Sequence, residues 1–157
     1  LAIDAAAIRR GFAAARWPGR MELLDFIPFG RVLLDGAHNP AGGRALAAAL
    51  GELGMRHFPL VFGAMRGKRV TAVLRALAPL EPIPVFTAVA DPGAHSPESL
   101  LRVWQRIGLG GETAADPAAA IVRAAELRQS TEQPVVVAGS LYLVGAVRGM
   151  LTGEEEV

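Results

Sequence analysis

The segment LLDGAHNPAGG, residues 33–43, places titratable side chains at the end of an apolar run. Asp35 and His38 lie three residues apart, and Asn39 follows directly. Ligands of open α/β sheets bind beyond the carboxyl ends of the strands, so polar residues at this position indicate a site. Each residue also has a structural interpretation, because Asp35 could bind turn amides and Asn39 could cap a helix. The combination of the three favours a site.

A helix is predicted to begin directly after these residues. Asn39 is a favoured N-cap residue, and Pro40 is favoured at the first helical position. The first turn of such a helix carries free N–H groups and a partial positive charge, which suit a phosphate or a carboxylate. Gly42 and Gly43 each cost about 1 kcal/mol relative to alanine in a helix. We interpret the two glycines as positions at which this cost is tolerated because the missing side chains let another group approach closely.

Two further predicted strands end in residues of a similar kind. Gly63 closes one apolar run and is followed by Arg66 and Lys68. Ser140 follows the run PVVVAG, and Tyr142 comes two residues later. In a parallel sheet the carboxyl ends of the strands lie at one edge. We therefore expect these residues to lie near the first segment.

Two other catalytic patterns are rejected. The segment GAMRGKR, residues 63–69, resembles a P-loop, but that loop needs four residues between its glycines and a serine or threonine after its lysine. Here three residues separate the glycines, and Arg69 follows the lysine. A hydrolase triad of Asp35, His38 and Ser140 would need a G-x-S-x-G turn, whereas Ser140 lies in AGSLY.

The remaining histidines and both tryptophans are assigned structural positions. His57 and His95 have no comparable polar neighbours in the sequence, and we predict that they are surface or turn residues. Trp17 and Trp104 are predicted to pack against other side chains. None of the four is placed in the candidate site.

The elements that must position the site alternate between strands and helices, which predicts a mainly parallel, Rossmann-like α/β sheet flanked by helices. The segment RWPGR, residues 16–20, is the only linker candidate. We predict residues 1–16 to be the tail of a preceding domain or a linker helix, and residues 17–157 to be the α/β domain. Helices are predicted at 1–16, 40–53, 69–80, 96–108, 116–129 and 142–151, and strands at 20–28, 31–35, 58–64, 83–90 and 134–139, with a short one near 110–113.

Composition excludes several classes of protein. The 157 residues suit one domain, and a hydrophobic fraction of 52% can bury a core. No apolar run approaches the roughly 18 residues of a membrane span. The absence of cysteine excludes disulfides, thiolate metal sites and cysteine nucleophiles. A net charge of +1, from 16 basic and 15 acidic residues, gives no reason to expect nucleic acid as a partner.

Three motifs carry a family resemblance. The segments WPGRME (17–22), LLDGAHNPAG (33–42) and AGSLYLVGAVR (138–148) follow one another in this order, and VFGAMRGKRVTAVLRALAPL lies between them. Together they resemble the C-terminal domain of the folylpolyglutamate synthase/dihydrofolate synthase family, within the Mur ligase superfamily. The resemblance covers most of the chain, and the three motifs are specific jointly rather than singly.

The resemblance implies an ATP-dependent ligase that joins L-glutamate to dihydropteroate or a reduced folate through an acyl phosphate. It implies that Arg20 and Asp35 contact ATP. It also implies that His38, with Asp35, is needed for activity, and that His38, Ser140 and Tyr142 handle glutamate. Mg²⁺ accompanies ATP in the family, and no metal ligand is expected in this chain.

The resemblance further implies a P-loop domain N-terminal to this chain, which would hold most metal ligands and most of the folate pocket. We therefore expect the fragment alone to be inactive, a hinge near residues 17–20, and a monomeric, cytoplasmic parent protein. Two alternatives stay open: a Mur-type cell-wall amino-acid ligase domain, and a non-catalytic α/β module that binds a nucleotide or an amino acid.

Overall fold

The computed structural model describes residues 4–14, 17–27, 30–67 and 69–153. In these residues strands and helices alternate as the sequence predicts, and a 3₁₀ turn (Ala78–Leu80) follows the third helix. The elements are α1 (Ala5–Ala14), β1 (Glu22–Phe26), β2 (Gly30–Leu34), α2 (Pro40–Glu52), β3 (Pro59–Phe62), α3 (Val70–Leu77), β4 (Ile83–Phe86), α4 (Pro97–Gln105), β5 (Glu112–Thr113), α5 (Pro117–Glu126), β6 (Val135–Ala138) and α6 (Leu141–Thr152).

The six strands form one sheet in the order β1-β2-β6-β3-β4-β5. All neighbouring strands run parallel except β1, which pairs antiparallel with β2 at one edge. The prediction of a mainly parallel α/β sheet is therefore confirmed. The predicted strand at 83–90 is shorter than expected, because the chain leaves the sheet after Phe86 and turns at residues 91–94.

The buried strands alternate their side chains between two cores, as the pleat of a β-strand requires. Leu33 points to a core formed with α2, α3 and α4, whereas Leu34 points to a core formed with α5 and α6. Both faces of the sheet are thus covered by helices. In the described part of the chain, no helix is long and apolar enough to cross a bilayer.

The two tryptophans have different environments. Trp104 is fully buried and its indole N–H donates to the carbonyl oxygen of Gly110 at 2.9 Å, so its predicted packing role is confirmed. Trp17 is 73% exposed, so the same prediction is wrong for this residue. Its ring precedes the first strand and lies 5.9 Å from the guanidinium carbon of Arg20.

The three strands that end in candidate site residues are neighbours in the centre of the sheet. β6 lies between β2 and β3, with Leu34 opposite Val137 and Phe62 opposite Ala138. Because all three strands are parallel, Asp35, Gly63 and Ser140 follow their strands at the same edge of the sheet. The predicted gathering of these strand ends is confirmed.

Candidate functional site

The carboxylate of Asp35 joins two segments at the carboxyl end of β2. Its Oδ1 atom accepts a hydrogen bond from the amide of Ala37 at 2.9 Å, and Oδ2 accepts one from the amide of Met21 at 3.1 Å. Met21 has a left-handed backbone (φ 47°), which a residue other than glycine adopts only at an energetic cost. Asp35 therefore holds residues 17–21, called the Arg20 turn below, against the β2–α2 connection.

Arg20 is exposed, and its guanidinium lies over the β2–α2 connection. An added Cβ atom at Gly36 would collide with Nη1 of Arg20 and with the side chain of Leu141. The amide of Gly36 also donates to the carbonyl oxygen of Gly19 at 2.8 Å. Gly36 thus leaves the space that the guanidinium occupies.

The ring of His38 is oriented by the backbone of the same connection. Its Nδ1 atom lies 2.8 Å from the carbonyl oxygen of Gly36. A carbonyl oxygen can only accept, so Nδ1 carries the proton in this arrangement. In the neutral imidazole Nε2 then carries the lone pair, which makes it a hydrogen-bond acceptor or a base.

Asn39 caps α2, as the sequence predicts. Its Oδ1 atom accepts from the amide of Gly42 at 2.9 Å, and Pro40 occupies the first helical position. The glycine pair leaves room for a close approach, as expected, and the approaching group is part of the same chain. A Cβ atom at Gly43 would lie 3.1 Å from the Cα atom of Val73, so α3 is the group that approaches closely.

Two clefts border His38. The first, called the α2 cleft, has a volume of about 410 Å³ and is bounded by polar groups on one side and by apolar side chains of α2 on the other. The second, called the α6 cleft, is smaller, at about 130 Å³. The α2 cleft is lined by residues that include Arg20, Asp35, His38, Asn39, Ala45, Leu46 and Ala49, and the α6 cleft by His38, Met65, Gly139, Ser140, Leu141 and Tyr142.

Ser140 and Tyr142 line the α6 cleft in different ways. Ser140 is only 2% exposed, and its hydroxyl oxygen accepts from the amide of Tyr142 at 3.2 Å, so it caps α6. The hydroxyl retains its own proton for donation. Tyr142 is 61% exposed. The predicted site residues therefore fall into two groups joined by His38, with Arg20 and Asp35 in one and Ser140 and Tyr142 in the other.

The residues after β3 contribute less than expected. A Cβ atom at Gly63 would lie 2.8 Å from the carbonyl oxygen of Thr87, so this glycine permits close backbone packing. The Arg66 side chain donates to the carbonyl oxygen of Pro92, and Lys68 lies outside the described residues. Within the described ranges, no three acidic or histidine side chains form a group that could hold a metal ion.

The two other histidines lie outside both clefts. His57 is exposed, has a left-handed backbone, and its Nε2 lies 3.2 Å from a carboxylate oxygen of Glu81. His95 precedes α4, is partly buried, and its Nδ1 lies 3.1 Å from the hydroxyl oxygen of Ser99. Burial, followed by the positive charge of Arg66, lowers the pKa of His95.

This shift predicts a measurable titration. The pKa of His95 should lie below the usual value of about 6.5, and Arg66→Ala should raise it only partly because burial is the larger cause. As the pH falls through 6.5 towards the folded-state pKa, the unfolded chain binds the proton first, so this residue lowers stability. NMR titration of the His95 imidazole, in the wild-type protein and in the Arg66→Ala variant, measures the shift. An unshifted His95 would contradict the described packing.

Glu22 and Arg148 form an ion pair that sequence reasoning missed. The Nε atom of Arg148 lies 3.2 Å from both carboxylate oxygens of Glu22, and the amide of Gly19 donates to the same carboxylate at 2.8 Å. Both residues lie in the motifs quoted above, but 126 positions separate them. Only the sheet order, which brings α6 against β1, shows that they meet.

Comparisons with known proteins agree on one family. A sequence model described as "Mur ligase, glutamate ligase domain" matches residues 19–141. A probable bifunctional folylpolyglutamate synthase/dihydropteroate synthase of Haloferax volcanii is 40% identical over 148 residues, which cover 93% of this chain and 17% of that protein. A folylpolyglutamate synthase of Lacticaseibacillus casei is 32% identical, with coverage of 93% and 32%.

A solved structure shows the same fold. The folylpolyglutamate synthase of Mycobacterium tuberculosis, determined with ADP and AMPPCP, superposes with a TM-score of 0.83 at 32% identity and covers 98% of this chain and 36% of that one. The chain thus spans only about a sixth to a third of the length of these relatives. Because the family model matches most of its residues, this chain belongs to the Mur ligase family, in its glutamate ligase domain.

Proposed function

We propose that this chain is the C-terminal domain of an ATP-dependent folate–glutamate ligase, acting as a dihydrofolate synthase, a folylpolyglutamate synthase or both. The observation that supports the proposal is the convergence of Arg20, Asp35 and His38 at the carboxyl edge of the sheet, in a chain similar to folylpolyglutamate synthases. The remaining parts of the active site, including a P-loop, belong in this proposal to another domain of the same protein.

The proposed reaction has two steps. A carboxylate oxygen of the pterin acceptor attacks the γ-phosphorus of ATP, the bond from phosphorus to the bridging oxygen breaks, and ADP leaves. The amino group of L-glutamate then attacks the carbonyl carbon of the acyl phosphate. Phosphate leaves with the electron pair of the carbon–oxygen bond, the amine loses a proton, and an amide is formed. Such phosphoryl transfer needs positioning and charge neutralisation rather than a protein nucleophile.

The α2 cleft suits the nucleotide. The guanidinium of Arg20 offers several fixed donors to phosphate oxygens, and the apolar face formed by Ala45, Leu46 and Ala49 offers a wall for a purine ring. Asp35 lines the same cleft and fixes the Arg20 turn through the amide of Met21. Mg²⁺ would neutralise the phosphates in the closed enzyme, with its protein ligands supplied by the P-loop domain.

The α6 cleft suits the amino-acid substrate. Glutamate carries two carboxylates and one ammonium group, so its site needs both donors and an acceptor. Ser140 and Tyr142 provide hydroxyl donors, and Nε2 of His38 provides the acceptor at the boundary between the two clefts. Because His38 lines both clefts, this arrangement would bring the amine of glutamate next to the α2 cleft, in which the acyl phosphate would form.

The assay that tests this proposal follows ADP release from the full-length protein. We expect release that depends on L-glutamate and on either dihydropteroate or a tetrahydrofolate, and that Asp35→Ala abolishes. The accepted pterin distinguishes the two branches. A UDP-linked muropeptide is the acceptor that a cell-wall ligase would use. Binding of ATP without turnover on any acceptor would favour the non-catalytic module and contradict the ligase.

Gly36→Ala should weaken the nucleotide site while leaving the fold intact. The backbone of Gly36 is not left-handed, so alanine fits the local conformation. The new methyl group would displace the Arg20 guanidinium and the end of the Leu141 side chain, both of which can move without a change in the backbone. We expect KM for ATP to rise about tenfold, the loss typical of one weakened charge-assisted hydrogen bond. Steady-state kinetics measures the change, with Gly51→Ala on α2 as the control, since a methyl group there meets only the end of Leu80 at 3.8 Å.

A further inference from the structure

The Arg20 turn is held from two sides by carboxylates, and only one of them belongs to the predicted site. Asp35 binds the amide of Met21 on one side. On the other side Glu22, the first residue of β1, binds the amide of Gly19 at 2.8 Å. Gly19 and Met21 flank Arg20 directly, so the two carboxylates clamp the residue that carries the guanidinium.

One residue of this turn has a strained backbone. Met21 has a left-handed φ of 47°, which is costly for a residue with a side chain, whereas the φ of 68° at Gly19 is one that glycine adopts freely. Gly19 has no room for a side chain, because a Cβ atom would lie 2.7 Å from Cγ1 of Val144 on α6. The turn has an internal hydrogen bond from the Arg20 amide to the Trp17 carbonyl oxygen at 3.1 Å, and the two carboxylates add the external contacts that hold Met21 in its strained conformation.

Glu22 is oriented by α6. Its side chain is 19% exposed, and Nε of Arg148, itself 27% exposed, lies 3.2 Å from both of its carboxylate oxygens. Partial burial and the two-oxygen contact distinguish this pair from exposed ion pairs, which contribute little. Arg148 lies on the helix whose first turn lines the α6 cleft.

We infer that Glu22, held by Arg148, is a positioning residue for Arg20. Arg148 on α6 orients Glu22, Glu22 fixes the Gly19 amide, and the turn presents the guanidinium over Gly36. Neither residue lines the α2 cleft. The identification of ATP as the ligand of Arg20 rests on the function proposed above. The effect of Glu22 should therefore appear in nucleotide affinity rather than in the use of glutamate.

The first test is kinetic and uses the full-length protein. Glu22→Ala should raise KM for ATP about tenfold while KM for glutamate changes less than twofold. Glu22→Gln keeps an acceptor for the Gly19 amide but loses the charge, so it should restore part of the affinity. Asp25→Ala is the matched control, because Asp25 is an exposed carboxylate on the same strand. Equal KM values for ATP in the Glu22→Ala and Asp25→Ala variants would overturn the inference.

A double variant separates positioning from general stability. If Glu22 acts through Arg20, then Glu22→Ala should have almost no further effect on KM for ATP in an Arg20→Ala background. A merely structural role would add the same loss in both backgrounds. Fully additive effects, with comparable thermal unfolding of all variants, would contradict the inference. If Glu22→Ala does not fold, Glu22→Gln takes its place in the cycle.

A readout without substrate keeps the inference independent of the proposed reaction. Amide hydrogen exchange of residues 19–21 should accelerate about tenfold in the Glu22→Ala variant and stay unchanged in the Asp25→Ala variant. Accelerated exchange in a parent protein that turns over no ATP would support the positioning and refute the ligase. Unchanged exchange in an active enzyme would refute the positioning and leave the ligase standing.

Discussion

Arg20→Ala should reduce kcat/KM for ATP on the order of 100-fold, because hydrogen bonds to charged groups contribute roughly 1.5–3 kcal/mol each and a guanidinium makes more than one. The guanidinium lies over Gly36 and lines the α2 cleft. One of its donors reaches the Gly19 carbonyl oxygen only at 3.5 Å, so the other donors of this exposed side chain can bind a ligand. The fold should be unaffected, because an exposed side chain contributes little packing.

Two variants sharpen the Arg20 experiment. Arg20→Lys keeps the charge but not the planar set of donors, so it should recover only part of the lost activity. Arg75→Ala, which removes an exposed arginine from α3, is the control for a change in net charge. Initial rates at varied ATP measure the effect. Wild-type kinetics in the Arg20→Ala variant would remove this residue from the nucleotide site.

His38→Ala should lower kcat on the order of 100-fold or more, the range expected when a positioned acid–base group is lost. The hydrogen bond from Nδ1 to the Gly36 carbonyl directs the Nε2 lone pair away from the backbone. In the proposed reaction this atom, at the boundary of the two clefts, would accept a hydrogen bond from the attacking amine. The loss should appear in kcat more than in KM for ATP, because Arg20 and Asp35 remain.

A matched histidine variant serves as the control for His38. His57→Ala removes an exposed imidazole remote from both clefts and should leave kcat unchanged. The measurement is initial velocity at saturating ATP and acceptor with varied L-glutamate. Retention of full kcat by the His38→Ala variant, with a normal response to glutamate, would assign the ring a structural role in the β2–α2 connection only.

Local signals in the sequence predict most of the fold. Four helices are capped by hydrogen bonds to the side chains of Asn39, Ser96, Asp116 and Ser140. A proline follows each of the first three capping residues, at the first helical position. These signals depend on residues a few positions apart, so a single sequence contains them. The length of β4 depends instead on where the neighbouring strands end, and the sequence predicts a strand that is longer than the observed Ile83–Phe86.

The same distinction between local signals and long-range contacts applies to the candidate site. The placement of Asp35 and Ser140 at one edge follows from the parallel sheet, which alternation of strands and helices predicts. The contacts of Glu22 with Arg148 and of Gly43 with Val73 depend on which elements pack together, and a single sequence does not contain that information. The exposure of Trp17 was missed because an aromatic side chain beside a strand normally packs inward.

In the function that we propose, this domain serves an amide synthesis in which ATP activates the pterin carboxylate. The most direct measurement uses an acceptor labelled with ¹⁸O in that carboxylate, incubated with the full-length protein, ATP and L-glutamate. An acyl phosphate transfers one carboxylate oxygen to phosphorus, so ¹⁸O should appear in the released inorganic phosphate in step with amide formation. Phosphate released without the label, or an amide formed without any phosphate, would contradict it.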